Sequence, residues 1–153
     1  MSKAKTLAAN ISARLSEIRI ANGYLTDIGA SVKRGKLTFN ESEAPCIVLV
    51  EGDDDPIEQQ NLQCRLSLSF IAEGHDVCDP ENPNDKIHDI ATDIKKAIFG
   101  DDTTFGGLVK PNRNATPGLR YTGSSKGVRE DGSKLVSCGI QFECEIVEDL
   151  SNP

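Results

Sequence analysis

Near the end of the chain, Val136, Cys138, Ile140, Phe142, Cys144 and Ile146 alternate with Ser137, Gly139, Gln141, Glu143 and Glu145. A period of two sends successive side chains to opposite faces of a strand. This stretch therefore predicts one long strand, apolar on one face and polar on the other. With its second face wet, it can lie at a sheet edge. A second alternation sets Leu62, Cys64, Leu66, Leu68 and Phe70 against Gln63, Arg65, Ser67 and Ser69, the pattern of an amphipathic strand in an antiparallel sheet. Pro45 to Val50 is short, continuously apolar and β-branched, which predicts a buried strand. Gly52-Asp53-Asp54-Asp55-Pro56 follows and reads as a turn. Shorter strand candidates lie around Ala30–Arg34 and at Leu119–Gly123, and Asp131-Gly132 is a hairpin signal before the last strand.

Two stretches have helical spacing instead. Leu7, Ile11, Leu15 and Ile18 form one stripe, and Asn22-Gly23 is expected to end that helix. Ile87, Ile90, Ala91, Ile94 and Ile98 form another. Asn82 is placed to cap it, Pro83 and Asp85 suit its first turn, and Lys95 and Lys96 suit its C-terminal end. Gly100 stops it. Helix, strands, helix, then a terminal hairpin predicts an α+β fold: a mainly antiparallel β-sheet with two α-helices packed on one face, one domain over residues 1–153. The stretch 101–118 is rich in Gly, Pro and Asn and is expected to be a long loop, either a surface loop or an arm that orders against a neighbour.

The chain has 153 residues and a formal net charge of −7, enough length for one aliphatic core but the wrong sign for reading nucleic acid or anchoring to an anionic membrane. No apolar run reaches the roughly 20 residues of a membrane span, and the basic N-terminus lacks the continuous apolar region of a secretory leader, so a cytosolic site of synthesis is expected. The five cysteines, Cys46, Cys64, Cys78, Cys138 and Cys144, include no C-x-x-C pair and are expected to be reduced structural thiols.

Residues Glu73 to Gly100 hold both histidines and are the place to look for chemistry. His75, Asp76, Cys78, Asp79, His88 and Asp89 are potential ligands. Their H-x-x-C spacing has no second pair to complete a zinc tetrahedron, and the histidines lack the one-turn spacing of a zincin. Asp53, Asp54 and Asp55 do not continue as a calcium loop, because Pro56 interrupts the alternation. A Cys78–His75 nucleophile pair lacks an orienting third group. No phosphate-binding glycine loop and no G-x-S-x-G elbow occurs. The segment reads as a loop that enters a capped helix, with every acid explained by turns or by the helix dipole. No catalytic, cofactor or metal residue is assigned, and an enzyme is not expected. The enzymatic alternative is a metal-dependent hydrolase using His75, Asp76, Asp79 and His88. A small-ligand pocket between helices and sheet is a further alternative.

Taken in order, several stretches carry a distributed resemblance: the N-terminal helix running into "IANGYLTDIGASVKRG", then "PCIVLVEGDDD", "CRLSLSFIAEG", "DPENPNDKIHDIATDIKKAIFG", the "FGGLV" loop and "REDGSKLVSCGIQFECEIVEDLSNP". Across Leu7 to Pro153 the chain resembles the tail terminator proteins, also called tail completion or minor tail proteins, of long-tailed bacteriophages. The resemblance implies a two-layer α+β subunit and a hexameric ring on the head-proximal end of the tail tube. Such a ring ends tube polymerisation and offers a surface to a head completion or connector protein. It implies a virion protein, assembled in the host cytoplasm, with the tail tube protein as partner and no cofactor. A head-to-tail connector or a tube subunit of the same virion is the neighbouring possibility. On this reading Phe105, Gly106, Gly107, Leu108 and Val109 are candidates for the oligomer or tube interface. Asp53, Asp54, Asp55, Asp101 and Asp102 are candidates for an acidic lumen through which DNA passes without specific binding. The polar face of the terminal strand could line such a ring.

Overall fold

A computed structural model of the protein describes residues 1–35, 40–112, 114–127 and 132–153. Helix α1 spans Lys3–Ser16 and strand β1 Val32–Arg34. Strands β2 (Cys46–Gln60) and β3 (Gln63–Val77) follow, then helix α2 (Pro83–Phe99) and strands β4 (Leu119–Lys126) and β5 (Leu135–Asp149). The five strands form one sheet in the order β1-β2-β3-β5-β4. β1 runs parallel to β2, and all other neighbours are antiparallel. The fold is α+β, as the alternations predict.

One face of the sheet carries the core. Leu66 pairs with Ile146, Leu68 with Cys144, Phe70 with Phe142 and Ala72 with Ile140. Directly paired residues share a face, so these side chains form one apolar floor. Leu7, Ile11 and Leu15 of α1 and Ile90, Ile94 and Ile98 of α2 are fully buried against it. Burying an aliphatic side chain of this size contributes about 1.5–3 kcal/mol, which fixes the register of both alternating strands. Gly74 continues the floor beneath α2. A Cβ there would lie 2.6 Å from Ile90 Cγ2 and 3.0 Å from Ile28 Cδ1, so only glycine lets the helix sit this close.

Four sequence expectations change. Residues 52–56 are not a turn: β2 runs through them as far as Gln60, with register shifts between Glu51 and Asp54 and between Pro56 and Glu58. The bulges absorb the residues that do not fit, and β3 supplies the pairing that the acidic sequence lacks. The true reversal is at Asn61, with φ 56°. Second, Glu73–Val77 is not loop but the end of β3, paired with β2 and β5. Pairing on both sides holds it extended without any apolar alternation of its own. Third, α1 stops at Ser16, and Gly23 (φ 86°) ends a separate short 3-10 turn, Ile20–Asn22. Ile18 stays buried because its carbonyl receives the amide of Gly29 at 3.0 Å. Fourth, β5 lies between β3 and β4, not at an edge. Asp131 of the hairpin signal lies outside the described residues.

Candidate functional site

The histidine segment is dispersed by the fold. His75 is buried on β3, across from Ser137 and Cys46, with Nε2 2.8 Å from Oε1 of Glu73. The hydrogen bond from His75 holds the Glu73 carboxyl below its usual range, against the opposing effect of burial. Asp76 faces Lys86 at 3.7 Å. Cys78 belongs to the core and donates its amide to the Lys134 carbonyl at 2.8 Å. Asp79 receives the amide of Glu81 at 3.0 Å, a turn contact. His88 is exposed on α2. Among the described residues no group of three or more His, Cys, Asp or Glu side chains converges on a cation position. The residues of the hydrolase alternative are therefore divided among β3, a turn and α2.

Not every acid in this segment is a turn former or a helix-end charge: Glu73 and Asp76 lie on β3, and Asp93 is an anchor in the middle of α2. Asp93, 1% exposed on α2, accepts the amides of Leu25 (3.0 Å) and Thr26 (2.8 Å) and the Thr26 hydroxyl (2.7 Å). Spacing of i+3 and i+4 puts Asp93 beside Ile90 and Ala97, on the buried side. That position was the available signal, since a charge on an apolar stripe needs partners. Lys96, one turn on, donates to the Gly23 carbonyl at 2.9 Å and stacks over Tyr24, 4.5 Å from its ring centre.

The interface candidates Phe105 to Val109 are split as well. Phe105 and Val109 are each 2% exposed and sit in the subunit's own core. Leu108 packs partly against it, and only Gly106 and Gly107 are exposed. The Phe105 backbone is left-handed (φ 48°), and the Arg14 guanidinium lies 3.8 Å from its ring centre. Asp102 builds this turn. It accepts the Thr104 hydroxyl (2.6 Å), the Gly106 amide (2.8 Å) and the Thr104 amide (2.9 Å), which hold its carboxyl down at about 2. Further on, Lys110 donates its amide to the Glu145 carbonyl, and Glu145 donates its own to Gly118. The described part of 101–118 is thus folded against its own domain.

The acidic candidates do not make one wall. Asp54 lines a shallow cleft beside Ala4, in the first turn of α1, whereas the charge of Arg14, in the last turn, acts on Asp102. Ten residues of helix separate Ala4 from Arg14, about 15 Å. Asp53, Asp54 and Asp55 do lie together, on the part of β2 that nothing described covers: every residue from Glu51 to Gln60 is exposed. β1 reaches only Ile47–Leu49 of that outer edge. At the other side of the sheet, β4 pairs with β5 alone, and all but Leu119 and Gly123 are exposed. Among the described residues the sheet is open at both sides.

The face away from the helices is polar. Arg65 pairs with Glu145 at 3.0 Å and Arg120 with Glu143, linking β3 to β5 and β5 to β4. A cavity of about 320 Å³ lies on the sheet between Ser69, Ile71, Thr122 and Gln141, with no titratable cluster in it beyond Glu143. No described helix is long and apolar enough to cross a membrane. No protein-family model matches the chain, and no curated protein matches it.

The fold defines a single α+β domain whose sheet, among the described residues, has two uncovered edges.

Proposed function

We propose that this chain is a ring-forming structural subunit of a long-tailed bacteriophage virion, a tail terminator seated at the head-proximal end of the tail tube. The observation that carries the reading is the five-stranded sheet, open at both sides among the described residues. A subunit with two different free edges can make heterologous head-to-tail contacts, and those close into a ring when the rotation allows. The resemblance supplies the hexamer, the tube and the head completion protein as partners.

The test is assembly. Purified protein is followed by light scattering over a range of concentrations and by negative-stain micrographs, alone and with tail tubes of its phage. Rings, and caps on tube ends, are expected. Particles that stay monomeric throughout and leave tubes uncapped would overturn the proposal.

A further inference from the structure

Among the described residues the two outer strand edges, β2 beyond β1 and β4, differ in charge. From Glu51 to Gln60, β2 carries Glu51, Asp53, Asp54, Asp55 and Glu58 and no base. β4 carries Arg120 and Lys126 and no acid. Each edge also presents one large exposed apolar side chain, Ile57 on β2 and Tyr121 on β4. Glu51 is engaged by Arg34 at 2.7 Å, so the Asp53–Asp55 run supplies most of the negative field. Arg120 contacts Glu143 of its own chain, yet its side chain remains 66% exposed.

Strand direction fits as well. β2 is antiparallel to β3, β3 to β5, and β5 to β4, so β4 runs opposite to β2. Rotation about an axis along the strands preserves direction. β4 of one copy therefore meets β2 of the next in antiparallel pairing, the arrangement that hydrogen-bonds with perpendicular, well-aligned amides.

We infer that the acidic outer edge of β2, Glu51–Gln60, binds the basic outer edge of β4, Leu119–Lys126, of a second copy of this chain. The sheet then continues from subunit to subunit. The register predicts a stagger. Leu119 stands level with Asp54 through Cys144 and Leu68, and Lys126 stands level with Ile47 through Cys138 and Gly74. Residues Ile47–Leu49 are already occupied by β1. To meet the free part of β2, the incoming β4 must slide toward the β2–β3 hairpin tip. A constant slide at every junction tilts the strands against the ring axis, as closure of a sheet requires. The bulges and acids of β2 also keep this edge from pairing with a copy of itself.

The inference rests on the ring reading for closure, but the contact is tested separately by charge exchange. One variant carries Asp54→Lys and Asp55→Lys, the other Arg120→Glu and Lys126→Glu. Each alone should self-associate about tenfold or more weakly than the natural protein, because like charges then face each other. Mixed in equal amounts, they should assemble together, since each mismatched edge finds its complement. Recovery in the mixture also shows that both variants are folded. Hydrogen exchange on the natural protein needs no substitution: amides within Glu51–Gln60 and Arg120–Lys126 should slow on assembly relative to dilute protein. Rings whose two edges exchange as fast as in the monomer, or folded variants that assemble singly as well as the natural protein, overturn the edge contact and leave the ring reading standing. A protein monomeric at every concentration and on tubes overturns both.

Discussion

Asp93 and Thr26 are joined by two hydrogen bonds, from the Thr26 amide at 2.8 Å and from its hydroxyl at 2.7 Å, both to Oδ2 of a carboxylate that is 1% exposed. Sixty-seven residues of chain separate them. The contact fastens the segment after α1 to the middle of α2, and the Leu25 amide adds a third donor.

Replacing Asp93 with Ala leaves the Thr26 amide and hydroxyl buried without their acceptor. A cost of about 3 kcal/mol is expected, from the loss of hydrogen bonds to a charged group. Asn at the same position keeps one acceptor oxygen and should cost less. Urea unfolding of the two variants checks the order. An Ala variant as stable as the natural protein would show that the anchor contributes nothing.

Gly74→Ala should destabilise by about 1–3 kcal/mol, the usual cost of overpacking a core. The new methyl would press on Ile90 and Ile28. Combining it with Ile90→Ala removes Cγ2, the closest atom, so the double variant should lose less than the sum of the two single losses. Thermal melts of the single and double variants decide it, and strictly additive losses would refute the steric account.

The carboxyl of Asp102 titrates at about 2, below its ordinary 3.8, chiefly because the Thr104 hydroxyl bonds the charged form. A depressed value means that the charged group favours the folded turn at pH above about 4. That contribution disappears as the pH falls through 4 toward 2. Protection of the Thr104 and Gly106 amides relative to their intrinsic exchange rates, followed by NMR, should fall over that window and hold at neutral pH. Asp102→Ala should show the reduced protection at pH 7 as well. Protection that is independent of pH down to 2 would contradict the assignment.

All five cysteines are buried and unpaired with one another, and burial pushes the Cys144 thiol up to about 12 and raises Cys138. A thiol is nucleophilic only as thiolate. At pH 8 the native protein should react with a disulfide reagent at a rate set by unfolding. In guanidinium all five thiols should react at once. A rapid stoichiometric reaction of even one thiol in the native state would count against this packing.

The alternating strands were legible because one residue type repeated at the period of the structure it builds. The α2 stripe was legible for the same reason, from Ile87 through Ile98. Residues 52–56 misled because acids and proline favour turns locally, while the adjoining β3 holds them in a strand. His75 misled in a similar way. Its polar neighbours resemble a loop, yet pairing to Cys46 and Ser137 buries it. The Phe105–Val109 candidates looked available because the glycines around them signal a loop. Asp102 instead folds that loop so that Phe105 and Val109 turn inward.

By itself the sequence determined the class of fold, the two core-bearing strands and the amphipathic helices, because local periodicity and apolar burial act along the chain. Tertiary structure alone decided which strands lie at the edges, which acids are anchors and which stay exposed, and that the two free edges carry opposite charge. Those properties depend on strand order and register, which arise from contacts between segments far apart in sequence and leave no periodic mark on either one.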